Sequence, residues 1–413
     1  MNRQQRAVIT GIGILAPNGI GLAEFWQSLL ECRSGIGPVT LFDASGFKSR
    51  VAGEIKGFDP RDYIEAEQKP KRMARHTQLA YAAAMMALRD ARLDPDDLNL
   101  ASPTPVIIGV STSAIEVIES VFRSLEKSGP NRAPVTSLSS SSPQAAANTI
   151  ADRIGSFAHA ATVSSACPSG LDAVASAADM INKGEAEIAI AGGADAPITP
   201  LAMSSFIASG IVSDSNGEPD KASRPFDRNR QNGVLAEGAC VFVIENAETA
   251  AARGATAYLE ITGYARRRDP DSAQPGCGLV DSMTLAMANA CNSLEDIDYI
   301  CAYGPSDRFL DAAEVRFIKE VFGQRAYNIP VTSIKGVTGN PLAAGGPFQV
   351  ATCAMSMRDQ LIAPTANFES GDDDCDLDFV PTYPRKTKVD CALINVRGLG
   401  GGASSMVVQR CLE

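Results

Sequence analysis

Val163-Ser164-Ser165-Ala166-Cys167-Pro168-Ser169-Gly170-Leu171 is the stretch from which the rest of the chain can be read. A β-rich run, Ala161 to Ser165, leads to Cys167, and behind it Leu171, Val174, Ala178 and Ile181 fall at near-helical spacing. Gly184 stands where a C-cap glycine would end that helix. Cys167 is thus expected on a strand-to-helix turn, beside the first free N–H groups of the helix. Those groups and the helix dipole favour a thiolate and predict a lowered cysteine pKa. Ala166, Ser169 and Gly170 are small enough to admit a substrate carbonyl. The pattern suits a nucleophile, although a buried structural thiol fits the same residues.

The composition narrows the function classes. At 413 residues and 45% hydrophobic, the chain has material for two domains or one large duplicated unit. Its ten cysteines form no CxxC pair, and the only histidines are His76 and His159, so a Cys/His zinc site is not expected. Scattered free thiols suit a reducing cytosol. A formal net charge of −11 argues against nucleic acid as the main partner. Gly11, Gly13, Pro17 and Asn18 break the first apolar run too early for a signal segment, and no window approaches a membrane span. A cytoplasmic protein is expected.

Strand and helix signals alternate along the chain. Strands are expected at Ala7 to Thr10, Val106 to Val110, Glu187 to Ala191 (stopped by Gly192 and Gly193) and Cys240 to Glu245. Helices are expected at Leu22 to Leu30 and Thr77 to Ala91, and on the face marked by Ile115, Ile118, Phe122 and Leu125, with a Ser-rich loop at Ser137 to Ser142. A new strand, Tyr258 to Gly263, opens a second series of strands and helices. The boundary is drawn there, giving halves 1–255 and 256–413. Such alternation implies parallel sheets with helices on their faces.

Several further motifs accompany the Cys167 turn: Val8-Ile9-Thr10-Gly11-Ile12-Gly13, Ala191-Gly192-Gly193-Ala194, Ser223-Arg224-Pro225-Phe226-Asp227, Lys335-Gly336-Val337-Thr338-Gly339 and Gly398-Leu399-Gly400-Gly401. Together they resemble the β-ketoacyl-acyl-carrier-protein synthases of the ketosynthase II type, within the thiolase superfamily, over essentially the whole length. The resemblance implies an α/β, thiolase-like, duplicated αβαβα five-layer fold. It implies a homodimer, or a heterodimer with another ketosynthase. It also implies acyl transfer to Cys167 from the phosphopantetheine arm of an acyl carrier protein, with no permanently bound cofactor and no metal.

The chain departs from that family at its chemistry. The family's first histidine position is Tyr303, in Ala302-Tyr303-Gly304-Pro305-Ser306-Asp307, and its second is Asn340. Two threonines that contact the arm are Pro305 and Asp307, a glutamate is Gln349, and two gating aromatics are Arg397 and Leu399. Asp311, Glu314 and Lys335 remain. The resemblance assigns the oxyanion hole to the backbone N–H groups of Cys167 and Leu399, which side-chain changes can spare. His159 lies eight residues before Cys167 on an extended segment, about 26 Å away at roughly 3.3 Å per residue. It cannot replace a lost imidazole, and His76 lies beside a basic cluster.

A phenol donates a hydrogen bond but is no base near neutrality, and losing one oxyanion donor costs a factor of about 100 to 1,000. Three readings follow: an acyltransferase or specialised condensing enzyme loaded at Cys167, a non-catalytic chain-length-factor-like partner of an active ketosynthase, or a plain elongation synthase of fatty-acid or polyketide biosynthesis. The carrier protein, acidic in this family, is expected to dock near Lys69, Lys71, Arg72 and Arg75.

Overall fold

The computed structural model describes residues 5–98, 103–271 and 276–411. Its first strand, β1 (Ala7–Ala16), is buried along its whole length. It does not stop at Thr10, because Gly11 and Gly13 are there for proximity and not for a turn. A Cβ on Gly13 would stand 1.8 Å from the carbonyl oxygen of Ala83, and one on Gly11 would stand 2.2 Å from that of Ala87. Both carbonyls belong to α1 (Arg75–Asp90), whose buried Ala80, Ala82, Ala83, Ala84 and Ala87 allow a close helix–sheet approach.

The first half adds β2 (Val106–Gly109), α2 (Ile115–Ser128), α3 (Ala145–Arg153), β3 (Ala160–Val163), α4 (Ser169–Asn182), β4 (Ile188–Asp195) and β5 (Gly238–Asn246). The second adds β6 (Leu259–Arg268), α5 (Gly278–Asn289), β7 (Tyr299–Cys301), α6 (Arg308–Phe322), β8 (Val331–Thr332), α7 (Gly345–Asp359), β9 (Cys391–Arg397) and β10 (Gly402–Gln409). The spatial order is β8-β7-β9-β10-β6-β1-β5-β4-β2-β3. Each half therefore runs first, fifth, fourth, second, third strand, counted from the seam. The pairings repeat as well: β1–β5 and β5–β4 are antiparallel, as are β6–β10 and β10–β9, while the outer pairs are parallel. The sheets are thus mixed and not purely parallel, because β5 and β10 return to pair beside the first strand of each half. At the seam, Val8 pairs with Glu260 and Ile9 with Leu259.

Helices α4 and α7 pack between the two halves of this continuous sheet, α1 and α3 cover the outer face of the first half, and α5 and α6 cover that of the second. This gives five layers. Like β1, β4 runs through its glycines, because a Cβ on Gly193 would meet the Ala343 carbonyl at 2.3 Å. The Ser137 to Ser142 segment is helical at Ser137–Ser141 and not a loop.

The apolar face of α2 departs further from expectation. Ile118, Phe122 and Leu125 are 52%, 58% and 44% exposed, and Val135 and Leu138 are exposed too. β3, the outermost strand, pairs only with β2 among the described residues. No described helix is long and apolar enough to cross a membrane, and no described cluster of His, Cys, Asp and Glu could hold a metal ion.

Candidate active site

Cys167 sits on the turn between β3 and α4. Ala166, just before it, has φ 63°, a left-handed conformation that costs a non-glycine residue about 1–2 kcal/mol. Side chains lock the turn. Ser169 Oγ donates to the Ala166 carbonyl at 2.5 Å and accepts from Ser165 N–H at 2.8 Å. Ser165 Oγ donates to Asp172 at 2.6 Å. Buried Asp172 also accepts from Tyr264 Oη and Ser404 Oγ, both at 2.7 Å, which ties the turn to β6 and β10. Gly170 is required as well, since its Cβ would lie 2.1 Å from the Ala343 carbonyl.

The thiol contradicts one expectation. Cys167 is only 4% exposed, and burial pushes its pKa up from the ordinary thiol value, against the opposing pull of the Tyr303 hydroxyl and the Lys335 charge. The resting group is a thiol, because desolvation outweighs the helix terminus. Asp195, fully buried at the end of β4, pushes in the same direction. It accepts from the N–H of Ser111, Thr112 and Ala343, and burial raises its own pKa to about 6. Asp195 was not foreseen, although an acid closing an apolar Gly-Gly strand was a readable signal.

The second half supplies the facing groups. Tyr303 follows β7, and its hydroxyl donates to Cys167 Sγ at 3.6 Å. Glu314 on α6 fixes the Tyr303 backbone, accepting from the N–H of Tyr303 at 2.9 Å and of Gly304 at 2.8 Å. Lys335 is 2% exposed; its Nζ donates to the Tyr303 carbonyl at 2.5 Å and lies 4.5 Å from the centre of the ring. Burial lowers the Lys335 pKa, opposed chiefly by Glu314. Asn340 is held by its backbone to Val234 and Ala236, and it lines the same cavity as Tyr303. Gln349 Nε2 donates to the carbonyls of Cys301, Ala302 and Asn395, a structural role at the base of the site. Asp311 stands apart. It accepts from Phe226 N–H at 2.8 Å, beside Arg230, and burial raises its pKa to about 8.

Cys167, Tyr303, Asn340, Leu310, Phe206 and Leu399 line one largely apolar cavity of ≈ 40 Å³. Pro305 and Asp307 stand at its edge, where Asp307 also caps α6 by accepting from Phe309 and Leu310 N–H. Leu399, 54% exposed, sits at the mouth. No imidazole lines the cavity. His76 is fully buried, with its pKa lowered to about 4 by desolvation, and His159 is exposed at the start of β3. The arrangement can accept an acyl group on sulfur and donate hydrogen bonds to a carbonyl, but no imidazole faces the thiol among the described residues.

The basic cluster divides. Lys69, Lys71 and Arg72 are exposed. Arg75 is not a surface charge, because its Nε and Nη2 donate to buried Glu237 at 2.5 and 2.6 Å. A groove of ≈ 340 Å³ beside Lys71, Arg72 and Arg75 is larger than the Cys167 cavity, and no cysteine lines it.

Comparison with known proteins agrees with this geometry. Residues 4–250 match the β-ketoacyl synthase N-terminal domain, and residues 258–369 match its C-terminal domain. The chain is 37% identical to the tetracenomycin polyketide synthase ketoacyl synthase alpha subunit of Streptomyces glaucescens, covering 99% of this chain and 98% of that one. It is 36% identical to 3-oxoacyl-[acyl-carrier-protein] synthase 2 of Synechocystis sp., covering 96% of each. The solved ishigamide ketosynthase/chain length factor superposes with a TM-score of 0.91 at 29% identity, covering 99% of this chain and 100% of the other. The strained cysteine turn, the repeated strand order and these matches lead to one conclusion: the chain belongs to the β-ketoacyl synthase family and has its thiolase-like fold.

Proposed function

We propose that this ketosynthase accepts an acyl group on Cys167 from the phosphopantetheine arm of an acyl carrier protein, and that decarboxylative condensation is slow or specialised. The observation that carries the reading is an intact, strained cysteine turn whose thiol meets a phenol, Tyr303 Oη at 3.6 Å, and no imidazole. In the transfer step, Cys167 sulfur attacks the thioester carbonyl. The carbonyl–sulfur bond to the arm breaks, and the thiol proton ends on the departing pantetheine sulfur. The backbone N–H groups of Cys167 and Leu399 are the proposed oxyanion donors. Tyr303 and Asn340 can orient a carbonyl, but neither supplies a cationic imidazole for the enolate of a malonyl unit. Lys335 and Glu314 act by holding Tyr303.

The carrier docks at the exposed charges of Lys69, Lys71 and Arg72, with Arg75 shaping the surface from beneath. The exposed apolar face of α2 and the open edge of β3 suit pairing with a second ketosynthase-like chain. That same surface favours a second reading, a chain-length-factor-like subunit, which the intact cysteine turn opposes.

The test is single-turnover mass spectrometry with an acyl carrier followed by malonyl carrier. The wild type should form the acyl-enzyme and condense it slowly, and Tyr303→His with Asn340→His should condense faster. Rapid condensation by the wild type would refute the proposal in favour of a plain elongation synthase. The absence of any acyl-enzyme, with tight association to an active ketosynthase, would favour the subunit reading.

A further inference from the structure

Arg266-Arg267-Arg268 is the only run of three basic residues in a chain of formal net charge −11. The run ends β6, and all three residues are exposed. Register places them beside the mouth of the Cys167 cavity. Arg266 lies opposite Ser404, Arg267 opposite Ala403 and Arg268 opposite Gly402, where β10 begins. The 398–401 turn stands just ahead of Gly402 and carries Leu399, and Asp269 N–H donates to its Gly401 carbonyl at 2.8 Å. That turn leans on the nucleophile, since a Cβ on Gly398 would stand 2.9 Å from Pro168 Cδ and 3.0 Å from Ala166 Cβ.

The triplet runs outward from the cysteine turn. Arg266 Nη1 is 3.3 Å from Asp172, the residue that holds Ser165 Oγ. Side chains alternate along a strand, so Arg268 shares the face of Arg266, about 7 Å farther on at roughly 3.3 Å per residue. Asp269 does not cancel this charge, because it is committed to Arg397 and to Gly278 N–H. Among the described residues, no carboxylate lies within ion-pair distance of Arg267 or Arg268. The neighbouring tip is bare glycine, and a Cβ on Gly400 or Gly402 would meet nothing within 4 Å. Open space and unspent positive charge therefore coincide there.

We infer that Arg268, with Arg266 and Arg267 adding to the local field, takes the phosphate of the phosphopantetheine arm, so that Cys167 is loaded from phosphorylated pantetheine thioesters in preference to unphosphorylated ones. The inference rests on the reading of Cys167 as the acyl acceptor. Thioester and phosphate lie at opposite ends of the arm, so a thioester at Cys167 leaves the phosphate outside the cavity, on the side where the triplet stands. A guanidinium fork meets phosphate oxygens in pairs. Lys69, Lys71 and Arg72 contact the body of the carrier, and Arg268 is the specificity-determining residue for its arm.

Two measurements separate this inference from the reading beneath it. The first is calorimetric binding, at low ionic strength, of acetyl-pantetheine and acetyl-phosphopantetheine analogues in which an amide replaces the thioester, so that no transfer is needed. The phosphorylated analogue should bind the wild type about 10-fold more tightly, the order expected of one charge-assisted contact. Arg267→Gln with Arg268→Gln should abolish that preference, and Arg268→Lys, which keeps the charge and loses the fork, should reduce it. Arg33→Gln with Arg61→Gln, which removes the same charge from exposed positions elsewhere, should keep it. Equal affinity for the two analogues in the wild type, or a preference that survives in the Arg267/Arg268 variant, would overturn the inference. The second measurement is kcat/KM for loading Cys167 from the corresponding acetyl thioesters, read by intact mass. Equal values would sink the phosphate contact and leave the acceptor reading standing. Loading from neither would sink the acceptor reading, while calorimetry still decides the phosphate contact.

Discussion

Removing the Tyr303 hydroxyl isolates its effect on the nucleophile. In Tyr303→Phe the ring stays and the donor at 3.6 Å from Cys167 Sγ is lost. A hydrogen bond to a charged group is worth about 1.5–3 kcal/mol. If it serves the thiolate, its loss lowers the thiolate fraction at fixed pH by about 10- to 100-fold. A more basic thiolate is also a better nucleophile, with a Brønsted slope of about 0.4–0.5 in disulfide exchange, so roughly half of the effect is recovered. The expected fall in rate against a small neutral disulfide is therefore about 3- to 10-fold. The assay follows mixed-disulfide formation at Cys167 by peptide mapping between pH 7 and 10, with Cys167→Ala as the blank. The wild-type thiol pKa is raised above 9.0 by burial, so its rate should still be climbing at pH 9. The variant should run below it throughout that range. A wild-type plateau near pH 7, or a variant as fast as the wild type, would refute the claim that burial holds a thiol which the phenol partly relieves.

Reversing Lys71 and Arg72 to Glu should weaken carrier binding several-fold and flatten its salt dependence, because exposed charges are screened over about 8 Å at physiological ionic strength; titration at two salt concentrations reads this. Asp172→Ala strands the hydroxyls of Ser165, Tyr264 and Ser404 and should destabilise the fold by about 2–4 kcal/mol in denaturant unfolding. The pKa of Asp311 is raised in the folded state, so it contributes stability that is present at low pH and lost as pH rises towards about 8. Thermal scans of the wild type against Asp311→Asn should therefore show the wild type losing ground between about pH 4 and pH 8, and a constant difference would contradict that burial.

The elements were legible wherever a residue's own neighbours decide its conformation. The helix at Leu22–Leu30 agrees with its pattern to the residue, and the Cys167 turn shows in the switch from β-rich run to helical spacing. What failed depends on partners distant in sequence. Gly11 and Gly13 look like breakers until α1 is laid across them. Arg75 looks like a surface charge until Glu237 is placed beneath it, and Ile118 and Phe122 look like core until the fold leaves them exposed. The thiol direction failed for the same reason. A helix terminus can be read from spacing, but the burial that overrides it comes from chain distant in sequence, such as Leu235 and Leu342, while Tyr303 and Lys335 pull the other way. Arg397 finds Asp269 across 128 positions, and no local pattern announces that pair.

The repeated strand order has an evolutionary side. Cys167, the proposed acyl acceptor, belongs to one copy of the unit, on the turn after β3, while the groups that face it belong to the other, after β7 and around Lys335 to Asn340. Each copy can therefore drift under its own selection. Substitutions in the second copy can retune the proposed chemistry without disturbing the strained turn that carries Cys167. A protein with this architecture can change its chemistry by substitution in one half of the repeated fold while the other half is left intact.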